Sequence, residues 1–567
     1  MSAKDLTRFP ESDNKEEEKM DRQGLSRRDF LRGAALTSVG LAAAACGASP
    51  TPTTAPVAAP TAAPTAAPVP TVVAGPKSGG VLRIGIVGGT RVLGYPPGML
   101  SFYDFVTSKP CIEALGRYDT QGQLHPWLAD GWEQDADAKT ITVALKQGIQ
   151  FHDGTGFNAE TCKWNIDKFV NAGRAELAGV TSIDIVDDYT VRINLETWDN
   201  TGMIGVAYFA GPQISPTAWE NAGATDEARD EWCLNNPVGT GPFKFVSWEK
   251  DVAIKYERFD GYWQDGKPYL DAVEWHTIAD PTVAQASFLA KEVDILWYVS
   301  PLAAKEIQAE GFDITELRTG LGLVMYGIMP NSSDPDSPFA KLEARQAISY
   351  ALDSQAIVDS QFYGFARATQ QWGIPDGHWA NPDFKGYPYD PAKARDLVTQ
   401  AGYPDGIETT ILCSNAPETV AITTAIQGML AEAGINAEID AADNARYRQL
   451  TSESTFEGLC YASYRANSDL AMMMPRNLSA NGRIMHKSIM HPDKIEQLLA
   501  EAKEAPDEAS KQAKIWELQT VVFEEYSIFS PMLVASGLAA KQPYARGDGL
   551  MEVEFTQWTP EDAWLDT

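Results

Sequence analysis

The sequence predicts an α/β protein built from more than one domain. Its 567 residues are enough for two or three hydrophobic cores. Short β-patterned runs alternate with amphipathic helical runs from about residue 81 onward. With 44% hydrophobic and 10% aromatic residues, the body has the composition of a packed protein.

The first 76 residues read differently. Ser26-Arg27-Arg28-Asp29-Phe30-Leu31-Arg32 matches a twin-arginine export signal, with Arg27 and Arg28 preceding a weakly apolar stretch, Gly33 to Ala45. That stretch is too short to span a bilayer core of roughly 30 Å. Leu41-Ala42-Ala43-Ala44-Ala45-Cys46-Gly47 looks like a lipidation site at Cys46, although Leu41 stands farther from the cysteine than in the usual pattern. Cleavage at an A-x-A site, leaving an unanchored protein, is the alternative. Residues 49–76 carry a proline every few positions. Such a run favours extended conformations and reaches up to about 80 Å at roughly 3.1 Å per residue. The expected arrangement is a signal peptide over 1–45 and a lipidated, Pro/Ala/Thr-rich tether over 46–76.

The body opens with a buried-strand pattern, Val81 to Val87, followed by a Gly- and Pro-rich loop over 88–100 suited to one lip of a cleft. A helix is expected from Phe102 to about Leu115, and strands over Thr140–Leu145 and Thr190–Leu195. Pro237-Val238-Gly239-Thr240-Gly241-Pro242-Phe243 is a turn-rich block. A strand pair follows, with its turn at Glu249-Lys250-Asp251, and then a third strand from Val273 to Ile278. Helices are expected near Phe339–Asp353, from an Asp390 cap with Pro391 in the first turn, through Ile422, Ile426 and Leu430, and through Ile515, Leu518 and Val522. A strand near Ile528–Val534 closes the pattern.

Composition excludes several functions. With 46 basic and 77 acidic residues the net charge is -31, which opposes nucleic-acid or anionic-lipid partners. Cysteines at 46, 111, 162, 233, 413 and 460 form no C-x-x-C pair, and the six histidines show no ligand spacing, so neither a metal nor a redox cofactor is expected. An exported enzyme is a competing class. G-x-S-x-G, H-E-x-x-H and dinucleotide glycine patterns are all absent, and no catalytic residue is assigned. A sensor reporting ligand to a membrane partner is a third possibility.

Several motifs occur in a characteristic order: Glu113-Ala114-Leu115, Pro126-Trp127-Leu128-Ala129, Phe151-His152-Asp153-Gly154, the Gly239–Phe243 turn, Gly261-Tyr262-Trp263 through Lys267-Pro268-Tyr269-Leu270-Asp271, and Lys291-Glu292-Val293-Asp294-Ile295. Arg345 to Asp353 and the run ending at Gly434-Ile435 continue the series. This order resembles the extracytoplasmic solute-binding proteins of ABC importers, in the family that takes up oligopeptides, dipeptides and nickel. Lys291 stands where the family carries glycine.

The resemblance implies a periplasmic-binding-protein type II fold. Lobe I would comprise 77–120, 238–320 and 533–567, an extra inserted domain 121–237, and lobe II 321–532. It further implies a non-enzymatic, monomeric receptor that closes on a solute, most simply an oligopeptide, and delivers it to permease and ATPase subunits. His152 and Asp153 would belong to a tight turn rather than to an acid–base pair. The ligand segment would be Phe456 to Asp469, with Tyr461, Tyr464, Arg465 and Asp469 as candidates, joined by Trp372 and Tyr103. Peptide-binding relatives place a carboxylate-rich run there. This chain has Tyr464-Arg465 and only Asp469, so Arg465 could clamp a carboxylate or phosphate, and an anionic, sugar or opine-like solute is the alternative.

Overall fold

In the computed structural model, the described residues are 75–120, 123–317, 323–375, 377–465, 469–547, 549–552, 558 and 560–567. The signal, Cys46 and tether expectations lie outside them. The body contains three main sheets. The first has seven strands in the order Asp313–Glu316, Leu538–Lys541, Ile295–Trp297, Val81–Ile86, Ala272–Thr277, Ala253–Arg258 and Phe243–Glu249. Its central strand, Val81–Ile86, pairs in parallel with both Ala272–Thr277 and Ile295–Trp297. The second has six strands, Ala366–Ala368, Ser530–Ser536, Leu323–Pro330, Leu459–Arg465, Ile407–Ser414 and Ile435–Ala442. The third is a four-stranded antiparallel sheet within 129–195. Each main sheet packs its own buried cluster of aliphatic and aromatic side chains.

Most expected elements form where the patterns place them. The expected helix to Leu115 stops early, at Phe102–Ser108, because Pro110 restricts Lys109 and cannot donate to the preceding turn. Within that helix Asp104 accepts from the backbone N–H groups of Arg91, Val92, Leu100 and Ser101 at 2.8–3.2 Å, which pins the 91–101 loop. Lys291 adopts φ +62°, the left-handed conformation that follows the helix Pro281–Leu289. Replacing it by Gly relieves that strain at an exposed site, so Lys291→Gly should raise stability by about 0.5–1 kcal/mol in denaturant titration.

The sequence blocks meet at two buried groups. Glu113 accepts from Trp127 Nε1 at 2.8 Å, Tyr262 hydroxyl at 2.8 Å, Trp263 Nε1 at 3.0 Å and Thr240 hydroxyl at 2.9 Å. His152 Nε2 donates to the Gly241 carbonyl at 2.8 Å, and its own N–H donates to the Gly239 carbonyl at 2.9 Å. Asp153 instead accepts from Thr155 and Ser215, so the two neighbours serve separate turns. A Cβ at Gly239 would lie 2.2 Å from the Cys111 carbonyl oxygen, which is why only glycine fits there.

Burial raises the Glu113 carboxyl from 4.5 to about 7, against its four donors. Burial lowers His152 from 6.5 to about 4. The signs oppose. The Glu113 contribution is present below pH 4.5 and lost as pH rises through 7; the His152 contribution is present above pH 6.5 and lost as pH falls through 4. Melting temperatures of the wild type should therefore change little between pH 4.5 and 6.5. In that window Glu113→Gln should gain stability with rising pH, and His152→Gln should lose it.

Candidate functional site

The chain passes between the first and second sheets twice. One passage runs through residues 318–322, outside the described residues, and the other is Gly537, between Ser530–Ser536 and Leu538–Lys541. Gly537 meets the residue that precedes the first passage: Leu317 N–H donates to the Gly537 carbonyl at 2.8 Å. A Cβ at Gly537 would lie 2.5 Å from Leu317 Cδ1 and 3.5 Å from the Tyr298 ring, so a side chain there would have to displace the Leu317 methyl.

Beside this crossing stands an aromatic wall. It lies at the C-terminal ends of the parallel strands Val81–Ile86 and Ile295–Trp297, where open α/β sheets present ligand clefts. The ring centroid of Phe102 is 4.0 Å from Tyr103, 5.7 Å from Trp297 and 5.6 Å from Tyr298. The Tyr103 hydroxyl donates to the Val87 carbonyl at 2.7 Å, and Gly88, at φ +139°, makes room for its ring. Tyr298 holds φ +66° and is 37% exposed. Leu100, at the tip of the loop before the wall, is 81% exposed. Aromatic faces with an apolar rim suit the body of a small organic ligand.

The candidate ligand residues whose side chains are described, Tyr103, Trp372, Tyr461, Tyr464 and Asp469, do not converge on one site. Trp372, fully buried, packs between Tyr464 at 5.3 Å, Phe529 at 6.0 Å and Phe523 at 6.1 Å. Tyr464 is likewise buried, its hydroxyl donating to Met485 Sδ at 3.2 Å. Both belong to the core beneath one face of the second sheet. Tyr461 lies under the opposite face, stacked on Tyr326 at 5.8 Å, because successive residues of a strand alternate. These three are therefore packing residues here and not cleft-lining ones. Tyr103 alone stands in the aromatic wall. The Arg465 backbone ends the strand Leu459–Arg465 opposite Val324.

Asp469 is also committed internally. It caps the helix Leu470–Leu478 by accepting from Met472 N–H at 3.1 Å, and it meets Lys511 Nζ at 2.6 Å. Both side chains are 5% exposed. Burial pulls the Lys511 ammonium down, but Asp469 and Glu508, the latter at 3.1 Å, outweigh it and hold the group above its ordinary value. Asp469 is thus neutralised by the protein itself. Among the described residues no cluster of three or more His, Cys, Asp or Glu could hold a metal, and Cys111, Cys162, Cys233, Cys413 and Cys460 are unpaired and buried.

Residues 123–483 match the family described as bacterial extracellular solute-binding proteins, family 5 Middle. The chain belongs to that family. It is 31% identical over 342 residues to the glutathione-binding protein GsiB of Pectobacterium atrosepticum, covering 59% of this chain and 64% of that protein. The aligned stretch thus spans a little under two thirds of that relative's length. GsiB of Shigella flexneri is 28% identical over 458 residues, covering 78% of this chain and 87% of the relative. The crystal structure of the ABC transporter substrate-binding protein CtaP from Listeria monocytogenes superposes with a TM-score of 0.76 at 20% identity, covering 87% of this chain and all of that one. The type II binding-protein fold and the solute-binding family expected from the motifs are both correct.

Sequence reasoning overlooked Phe102 and Tyr298, which Trp297 backs from within the core of the first sheet. Their signal was positional: Tyr298 directly follows a short apolar strand, Ile295–Trp297, at a parallel-strand terminus. Two substitutions separate core from cleft. Trp372→Ala should destabilise the fold by about 3–5 kcal/mol in denaturant titration. Tyr298→Ala should leave the melting temperature nearly unchanged while weakening capture of the natively bound solute.

Proposed function

We propose that this protein is a membrane-anchored extracytoplasmic receptor for a short, carboxylate-bearing peptide of the glutathione type. It captures the peptide between two lobes and delivers it to the permease of an ABC importer. The observation that carries this reading is the aromatic wall at the crossing of two separately cored bodies, in a chain of the solute-binding family. Two bodies joined by two strands of chain rotate about that junction, and a ligand that touches both favours the closed arrangement.

The peptide class is supported by the glutathione-binding relatives at 28–31% identity. The carboxylate preference rests on Arg465, at the end of the strand Leu459–Arg465, with Asp469 close by already neutralised by Lys511. A guanidinium pairs with a carboxylate in a bidentate fork. The anchor rests on the Ala-rich run ending at Cys46 and on the proline-rich segment behind it.

The test is mass spectrometry of the natively purified protein after denaturation, followed by calorimetric titration with glutathione and a panel of di- and tripeptides. The expected result is an acidic short peptide, bound at least 10-fold more weakly by Arg465→Ala. A neutral or cationic solute, or Arg465→Ala binding unchanged, would overturn the carboxylate reading. Turnover of the released molecule would overturn the receptor reading. Cys46→Ser should move the exported protein from the membrane fraction to the soluble one.

A further inference from the structure

The helix Asp493–Glu504 ends without a cap of its own. Its C-cap residue, Ala505, lies outside the left-handed region, and Pro506, next in the chain, has no N–H to turn back onto the last carbonyls. The end is nevertheless buried, with Ala502 fully inaccessible and Ala505 nearly so. Buried helix termini require partners for their orphan carbonyls. Here the partners come from the other side of the crossing. Asn200 Nδ2 donates to the Ala502 carbonyl at 2.7 Å and to the Ala505 carbonyl at 3.1 Å. Asn200 N–H donates to the Lys503 carbonyl at 2.9 Å, and Trp198 Nε1 to Ala505 at 3.2 Å. Asp199 completes the contact with an ion pair to Lys503 Nζ at 2.9 Å.

Trp198, Asp199 and Asn200 follow the last strand in sequence of the four-stranded sheet, Thr190–Leu195. That sheet is fastened to the first one through Glu113 and His152. The helix Asp493–Glu504 belongs to the core of the second sheet. The contact therefore bridges the two bodies that the chain joins at 318–322 and Gly537. A second bridge lies nearby in sequence, where Met472 packs against the buried Tyr118, Ile204 and Tyr208. Rotation about the crossing must break such contacts. Asn200 is only 8% exposed, and its Oδ1 has no hydrogen-bond partner, so the amide is oriented solely by the two carbonyls it serves.

We propose that Asn200 is the positioning residue of a clamp that supplies the missing cap of the helix Asp493–Glu504 and thereby holds the lobes closed. It touches no solute. It sets affinity by fixing the fraction of molecules in the closed state, since apparent affinity scales with the population of the competent conformer. This inference rests on the two-lobe receptor reading, but it is independent of which solute is bound.

The test measures lobe separation by double electron–electron resonance between spin labels on the full protein. The labels sit on cysteines placed at Glu227 and Glu418, exposed residues on the two bodies; the five described native cysteines are buried. Protein is compared as purified with its native solute and after stripping by unfolding and refolding. Removing two hydrogen bonds to buried carbonyls should cut the closed-to-open ratio about 10-fold in Asn200→Ala. Asn200→Asp, which turns an anion toward carbonyl oxygens, should cut it further. Trp198→Phe, which removes one donor and keeps the ring, should give a smaller shift and serves if the Asn200 variants melt early.

Unchanged distance distributions in folded Asn200→Ala and Asn200→Asp would overturn the clamp. So would a wild type that shows no short distance in either preparation. A closed population that responds to Asn200 but not to glutathione or peptides would leave the clamp standing and remove the peptide assignment.

Discussion

The buried carboxyl of Glu113 is the interaction on which the arrangement of the four-stranded sheet against the first sheet depends. A lone carboxylate in a core is costly unless its oxygens are satisfied, and four donors drawn from distant parts of the chain satisfy this one. Trp127 comes from the approach to the four-stranded sheet, Thr240 from the turn that returns from it, and Tyr262 and Trp263 from the segment after the next hairpin. Each donor belongs to a sequence block that looks unremarkable alone. Their common partner explains why they occur together and in order: the blocks are the donors of one site, spread over about 150 residues of chain. The glycines of the Gly239–Phe243 turn serve the same junction, letting backbone approach Cys111 where a Cβ would collide. The four-stranded sheet is thereby fastened to the first sheet.

How much of this was legible in the sequence divides along physical lines. Strands and helices followed from period and caps: Asp390 with Pro391 and the hairpin turn at Glu249-Lys250-Asp251 are local features, readable without a partner. The site was less legible because the face of an aromatic is a tertiary property. Trp372 and Tyr464 have the residue types of a cleft, yet their sheet is covered on both faces, and both rings fill the core beneath it. Tyr298 has the same chemistry, but it stands just past the strand Ile295–Trp297 and is partly exposed.

Asp469 shows the same limit for charge. Its position at the end of the Phe456–Asp469 segment is visible in the sequence; the ammonium that neutralises it is 42 residues away on another helix. Breaking such a buried pair leaves an uncompensated charge and costs several kcal/mol, whereas the intact pair adds little net stability. Its role is geometric. Asp469 caps the helix Leu470–Leu478 while paired with Lys511, so the pair fixes the N-terminus of that helix against the core.

The helix Asp493–Glu504 carries this reasoning to its last step. Judged locally, Glu504-Ala505-Pro506 is a poor helix ending, with neither glycine nor a donor after the last turn. A protein folding as independent pieces would be expected to correct that defect within the piece. Here the correction lies across the crossing, in Trp198–Asn200 of the other body. A local deficiency satisfied only by a contact between lobes makes the energy of one body depend on its position against the other. That dependence is what the proposed clamp uses to favour one relative arrangement without rigidity. Hydrogen bonds to helix-end carbonyls suit the task because they are directional and short-ranged: they are lost within a small rotation and then replaced by water. In the proposed clamp the open form therefore has no large penalty to bear, and the closed form gains a modest increment to which a bound solute can add.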